Sequence, residues 1–250
     1  EHNICWICDP DHIVLGGCSL AESRSWVSLV GLTGAMFTFS DIPQDLPGIK
    51  VEVYRKILPT IITRPLELYG MSSTPPLWCL EVNRDYDNWL VVANTSFGSD
   101  VVKRIDFSKL GLDPSEEYIV YDYWNKELVG VFKDSFICEP PDEHDADVYS
   151  IRKKRDYPWV VSVDRHISQG GVSLINLSYD DSAQTLSGIS RLVPDHDCNI
   201  SIYNPEGFHV DRISVNAGDC DIDLSRPDLI NLNLKSADRE LIDWHISFRK

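Results

Sequence analysis

The sequence predicts a multidomain protein of mixed α/β and all-β class, and three observations carry that prediction. Continuous apolar strands without alternation bracket an amphipathic helix over residues 1–75, the pattern of a parallel sheet covered on both faces. After residue 75 the chain breaks into short apolar runs separated by turn residues, the pattern of antiparallel sandwiches. Its length of 250 residues leaves room for more than one hydrophobic core. The organisation expected is an α/β segment over 1–75, a β-sandwich over 76–156, and a further small β region or extension of that sandwich over 157–250.

Each element has a local reason. Asn3 to Cys8 is a short buried-strand run. Ser19-Leu20-Ala21-Glu22 matches a capping box, so a helix should start there and run to about Leu32. Trp26, Leu29 and Val30 are expected on its buried face, with Gly34 closing it. "GAMFTFSD" reads as a second apolar strand ending on Ser40 and Asp41. A second helix is predicted from Ile49 to Leu58, stopped by Pro59. Two strand–helix units cannot close a parallel sheet. They read as the tail of something larger, and the absence of a starting methionine fits that expectation.

In the second region the predicted strands are Leu77 to Val82, Trp89 to Asn94, Val101 to Phe107, Tyr118 to Trp124, Leu128 to Phe132 and Val148 to Ile151. Gly98-Ser99, Asp113-Pro114 and Asn125-Lys126 supply turns. The third region offers Val172 to Leu177, Thr185 to Val193, Asn199 to Tyr203, His209 to Val215, Leu229 to Leu234 and Asp243 to Phe248. Asp180-Asp181-Ser182 and Asn204-Pro205-Glu206-Gly207 are turns between them. Helix should be scarce beyond residue 75.

Composition narrows the partners. A net charge of −16 disfavours nucleic acid, because nothing offsets phosphate repulsion. No apolar run approaches the ~20 residues of a membrane span. The opening EHNICWICDP lacks a signal peptide's basic start and apolar core. The seven cysteines are scattered, and Cys5 and Cys8 have no second pair with which to build a zinc site. They read as structural, reduced thiols, which favours a cytoplasmic setting.

Several groups could carry chemistry. Asp9 and Asp11 flank Pro10, with His12 beside them; acids in a loop are ordinarily solvated or capping. Asp41 reads as a structural cap for the turn towards Pro43. Glu143, His144, Asp145 and Asp147 could hold a hard cation, but no glycine lets that loop wrap one, and a solvated loop is the simpler reading. In Asp164-Arg165-His166 the histidine reads as hydrogen-bonded at a domain junction. Trp78, Trp89 and Trp124 follow strand patterns and are expected in the core. No phosphate loop, dinucleotide fingerprint or nucleophile elbow is present.

A family resemblance joins these blocks. "DPDHIVLGG", "SLAES", "GLTGAMFTFSD" and "RKILPT" resemble, in that order, the end of the catalytic barrel of melibiase-type α-galactosidases, glycoside hydrolase families 27 and 36. "WLVVANTS", "IDFSKLGL" and "YIVYDYWNKELVG" resemble the sandwich that follows it. "VDRHISQGG" and "YDDSAQTLSG" are similar to the tail of bacterial members. The resemblance implies that residues 1–75 are the last two β/α units of a (β/α)8 TIM barrel, followed by antiparallel β-sandwich structure. It implies a cofactor-free and metal-free retaining hydrolase, a glycosidase of carbohydrate metabolism acting on α-galactosides, β-L-arabinopyranosides or α-N-acetylgalactosaminides. Such enzymes use two carboxylates about 5–5.5 Å apart, and both would precede Glu1. No catalytic residue is therefore assigned, and the chain alone is expected to be inactive. Asp11, with Asp9 and His12, would bind substrate; His12 stands where relatives carry an apolar residue. The partner implied is a galactoside-type carbohydrate, without nucleic acid or membrane, and the open sheet is expected to meet the β domain, a second copy or the missing barrel. The alternative is a non-catalytic carbohydrate-binding or scaffolding β protein.

Overall fold

The computed structural model describes residues 12–34, 36–61, 66–67, 77–95, 102–139 and 141–250. Strand β1 (His12–Ile13) pairs in parallel with β2 (Thr38–Phe39), His12 facing Thr38 and Ile13 facing Phe39. Helix α1 (Leu20–Thr33) connects them. Its predicted capping box is in place: the Ser19 hydroxyl accepts from the Glu22 amide, and the Glu22 carboxylate accepts from the Ser19 amide at 2.7 Å. Gly34 closes the helix in the left-handed conformation.

The buried face of α1 departs from expectation in part, Val30 being buried as predicted. Ser23, Val27, Val30 and Gly31 are buried, whereas Trp26 and Leu29 are only half-buried. The helix packs by close approach of its backbone, so its small residues face inward. A Cβ on Gly31 would collide with Cγ2 of Ile57 and come within 2.9 Å of Ile167. Helix α2 (Gly48–Arg55) is shorter than predicted. The segment before Pro59 leaves helical geometry early, as the residue preceding a proline disfavours it.

The first sandwich contains β3 (Leu66–Glu67), β4 (Leu77–Arg84), β5 (Asp87–Thr95), β6 (Lys103–Asp106), β7 (Glu117–Asp122), β8 (Glu127–Lys133), β9 (Ser135–Cys138) and β10 (Ala146–Lys153). Six of them form one antiparallel sheet in the order β3-β4-β5-β10-β7-β8, and β6 pairs with β9 as a separate ribbon. Strand β5 explains the arrangement. Leu90 and Val92 pack with Ile105, Phe107 and Phe136 on the ribbon side. Val91 and Ala93 pack with Val27, Val30 and Ile57 on the helix side. Both faces of the sheet are covered, so the strand reads as an unbroken apolar run.

The second sandwich contains β11 (Trp159–Val163), β12 (Leu174–Asp180), β13 (Thr185–Arg191), β14 (Cys198–Tyr203), β15 (His209–Val215), β16 (Asp219–Asp223), β17 (Leu229–Lys235) and β18 (Leu241–Arg249). Two four-stranded sheets, β11-β14-β17-β16 and β12-β13-β18-β15, enclose Leu186, Ile200, Leu232, Trp244 and Ile246 between them.

A charged hub joins the two sandwiches. Asp87, at the start of β5, accepts from Arg152 Nη1, Arg155 Nη2 and Trp159 Nε1, each at 2.9 Å. Arg152 is 1 % exposed. Its Nε donates to the Val161 carbonyl and its Nη2 to that of Gln169, while its plane lies 3.6 Å from the Trp89 ring centre.

The Gly31 contact yields a prediction. Gly31→Ala gains helix propensity yet should lower unfolding stability by about 1–3 kcal/mol through overpacking. In a double-mutant cycle of urea melts, Gly31→Ala should cost less in an Ile57→Ala background, which lacks the Cγ2 methyl that the new Cβ meets.

Candidate functional site

Of the three predicted substrate-binding residues, Asp9 and Asp11 lie outside the described residues. His12 is described and exposed. It opens β1, so the ends where β1 and β2 run out carry other groups: Leu15-Gly16 after the first and Asp41 after the second. These two ends are joined through one carboxylate. Asp41 Oδ2 accepts from the Leu15 amide at 2.5 Å and from the Tyr54 hydroxyl at 2.6 Å, and Oδ1 accepts from the Gly16 amide at 3.0 Å. The sequence expectation of a structural Asp41 agrees with this, but the acid braces the β1–α1 loop rather than a turn towards Pro43.

Lys50, one turn before Tyr54 on α2, completes the brace. Its ammonium donates to the carbonyls of Leu15 and Cys18 and lies 3.4 Å from that of Gly16. Burial pushes the Asp41 carboxyl upward. The bonds from Tyr54, Leu15 and Gly16 and the charge of Lys50 outweigh that and hold it below the ordinary carboxylate range. Burial, then the Asp41 bond, raises Tyr54. An ionised carboxylate with three donors on it is an acceptor already in use, unsuited to proton transfer or nucleophilic attack. What the described strand ends supply is a rigid frame.

Around that frame the surface is apolar. Met36, Phe39 and Ile42 are exposed, and Phe39 packs edge-on against Phe37 and Tyr54. No further strand pairs with β1 or β2 among the described residues.

The other candidates resolve into structural roles. The Glu143–Asp147 stretch docks on α1: Ser25 donates to the His144 carbonyl at 2.6 Å, and Arg24 lies 3.6 Å from Asp145. It is therefore held by the helix, not merely solvated. Among the described residues no three His, Cys, Asp or Glu side chains converge to hold a metal. Burial, then the neighbouring Asp122, pushes Asp147 up to about 6. Trp89 is a core residue whose Nε1 donates to the Ser168 carbonyl, but Trp78 and Trp124 are only half-buried. The five described cysteines are free.

His166 does lie at a junction. It is buried, its Nδ1 accepts from the Ser168 amide at 3.0 Å, and the flanking residues clasp the exit of α2. Ile167 donates its amide to the Lys56 carbonyl, and Arg165 donates to the carbonyls of Arg55 and Leu58. Burial drives the pKa of His166 down to about 4; Arg165 adds to this, and the backbone at Pro59 and Ile57 offsets part.

No protein-family model and no curated protein matches the chain. Solved structures do. A GH27 β-L-arabinopyranosidase from Geobacillus stearothermophilus, in complex with arabinose, aligns at 15% identity and a TM-score of 0.47, covering 60% of this chain and 38% of that one. α-Galactosidase I from Mortierella vinacea aligns at 12% identity and 0.44, covering 58% and 39%. The α-galactosidase from Saccharomyces cerevisiae with raffinose aligns at 12% and 0.45, covering 60% and 47%. This chain therefore spans less than half the length of each. The structural neighbours are glycosidases of the class its sequence blocks resemble.

Two predictions follow from the geometry. Asp41→Ala strands three donors, and should cost about 1–3 kcal/mol in denaturant melts at pH 7. The second concerns pH. His166 titrates near 6.5 when unfolded and near 4 when folded, so the unfolded chain binds more protons in between. Its contribution is complete above pH 6.5 and falls as pH drops towards 4, by roughly 2–3 kcal/mol. Asp147, raised on folding, gives the opposite slope below pH 6. His166→Asn, which keeps an acceptor for Ser168, should remove only the His166 component. An unchanged difference between melts at pH 4.5 and 7 would refute it.

Proposed function

We propose that this chain is the C-terminal portion of a retaining glycoside hydrolase acting on α-galactosides or related sugars. The observation that carries the reading is the parallel β1–α1–β2 crossover, set against an antiparallel sandwich and preceded and followed by the sequence blocks quoted above. An apolar parallel pair is stable when its edges and faces are covered. Further β/α units beside it would complete a (β/α)8 barrel, whose site lies at the C-terminal ends of its strands. On this reading the nucleophile and the acid/base come from those units. Asp11, Asp9 and His12 line the sugar site, and the Asp41–Tyr54–Lys50 brace fixes the loops that border it. The sandwiches anchor the barrel's last helices.

Hydrolysis of nitrophenyl α-galactoside tests this directly. The 250-residue chain alone should run at the uncatalysed rate, and a polypeptide that also carries the remaining barrel units should turn over. In that polypeptide Asp11→Asn should lower kcat/KM about ten- to a hundredfold, the worth of a hydrogen bond to a charged group, without moving Tm. Asp9→Asn should lower kcat/KM by less and act mainly through Tm. Turnover by the chain alone, or unchanged efficiency in Asp11→Asn, would overturn the assignment.

A further inference from the structure

We infer that the turn around Gln169 encloses an ordered water molecule, bonded to the Gln169 amide where the two sandwiches meet. Residues 166–171 are all buried, and Ser168, Gln169 and Ser173 are at most 1 % exposed. The backbone of this turn is matched. The Ser168 carbonyl accepts from Trp89 Nε1, that of Gln169 from Arg152 Nη2, that of Gly170 from the Leu174 amide, and that of Ser173 from the Arg191 amide. The Gln169 side chain is not. Its Nε2 and Oε1 are both buried, and neither bonds a protein group among the described residues. Ser173 Oγ, in the same segment, is buried and unbonded in the same way.

A buried amide is costly unless its donors and its acceptor are matched. Buried polar groups that the protein leaves unpaired are characteristically bonded to ordered water, which makes about three hydrogen bonds. The setting selects water over other ligands. Gln169 offers donors and an acceptor together, and one water molecule complements both. Burial of the whole 166–171 stretch leaves no opening for anything larger. An ion is disfavoured by charge. A cation would lie near the Arg152 guanidinium that holds the Gln169 carbonyl, and that guanidinium is already paired with Asp87, so it is not free for an anion. Packing tolerates another atom in this turn. Leaving aside its neighbours in the chain, a Cβ on Gly170 would meet only Arg152 Nη2 at 3.5 Å, Val163 at 3.6 Å and Leu174 at 3.7 Å, which are ordinary contacts. The inference rests on the turn alone, and it fails or survives independently of the hydrolase reading.

Crystallography of the full chain at near-atomic resolution tests this directly. A water should lie about 2.7–3.2 Å from Gln169 Oε1 or Nε2, at full occupancy. A second measurement reads the energetics in solution. Gln169 has left-handed backbone geometry, with φ of 55°. Methionine is likewise unbranched at Cβ, so Gln169→Met leaves that strain nearly unchanged and removes only the amide. With water bound, Gln169→Met takes away the water's partner and should lower the urea midpoint. An amide with no partner at all would instead be relieved of its burial cost, and the midpoint would rise. A map in which protein atoms bond both Oε1 and Nε2, a map with no water at the amide, or a midpoint that holds or rises in Gln169→Met would each overturn the proposal.

Discussion

The architecture depends on the buried contact between Arg152 and Asp87. Removing a guanidinium and a carboxylate from water is costly, and the interaction between them recovers that only with good geometry and full hydrogen bonding. Both conditions hold. Asp87 takes three donors, and Arg152 satisfies two carbonyls besides its carboxylate while stacking on Trp89. Burial opposes the charge on Arg152, and Asp87 is the principal group that sustains it. Asp87 and Arg152 both belong to the first sandwich and pair within it, but Trp159, Val161 and Gln169 belong to the second, so the pair is fully hydrogen-bonded only when the two are docked. The hub thus ties the hydrogen bonding of two buried charges to the docked arrangement.

The helical segment then has a fixed surface to lie on. Val27 and Val30 meet Val91 and Ala93, and Gly31 lets Ile57 and Ile167 approach the helix backbone. Residues 164–169 reach from the second sandwich to the end of α2 through Lys56, Arg55 and Leu58. The strand ends of β1 and β2 are consequently positioned by three units at once.

Much of this was legible in the sequence, and the failures have local causes. The capping box at Ser19 and the glycine at 34 marked α1 because helix ends are decided by nearby residues. His209–Val215 was placed in full because alternation and turns bound it on both sides. Asp219–Asp223 was missed: an edge strand of sequence DCDID, mostly exposed, has no apolar face to advertise. Trp159–Val163 was missed for the opposite reason, being buried throughout, with no period to detect. Trp26 and Leu29 have the bulk of core residues yet stay half-buried, because a close helix contact favours serine and glycine on the inward face of α1. For the site, Asp41 is recognisable as structural from the sequence, whereas its partners Tyr54 and Lys50 lie on another element. Their spacing of four on α2, which places both on one helix face, was the available signal. Nothing local distinguishes Asp87 from the neighbouring turn acid Asp85, since its partner lies in β10 and is set by tertiary packing.

The Lys50 ammonium stands where other loops hold a metal ion. Loops that gather several carbonyl oxygens at one point commonly do so around a bound metal, and lose their shape when it is withdrawn. The β1–α1 loop gathers the carbonyls of Leu15 and Cys18, with that of Gly16 nearby, around a cation that the chain itself carries. A tethered ion has no dissociation equilibrium with solvent. It cannot be chelated or diluted away, and its local concentration is set by the helix that presents it. The loop's conformation is thereby coupled to the folding of α2 instead of to the ionic composition of the medium.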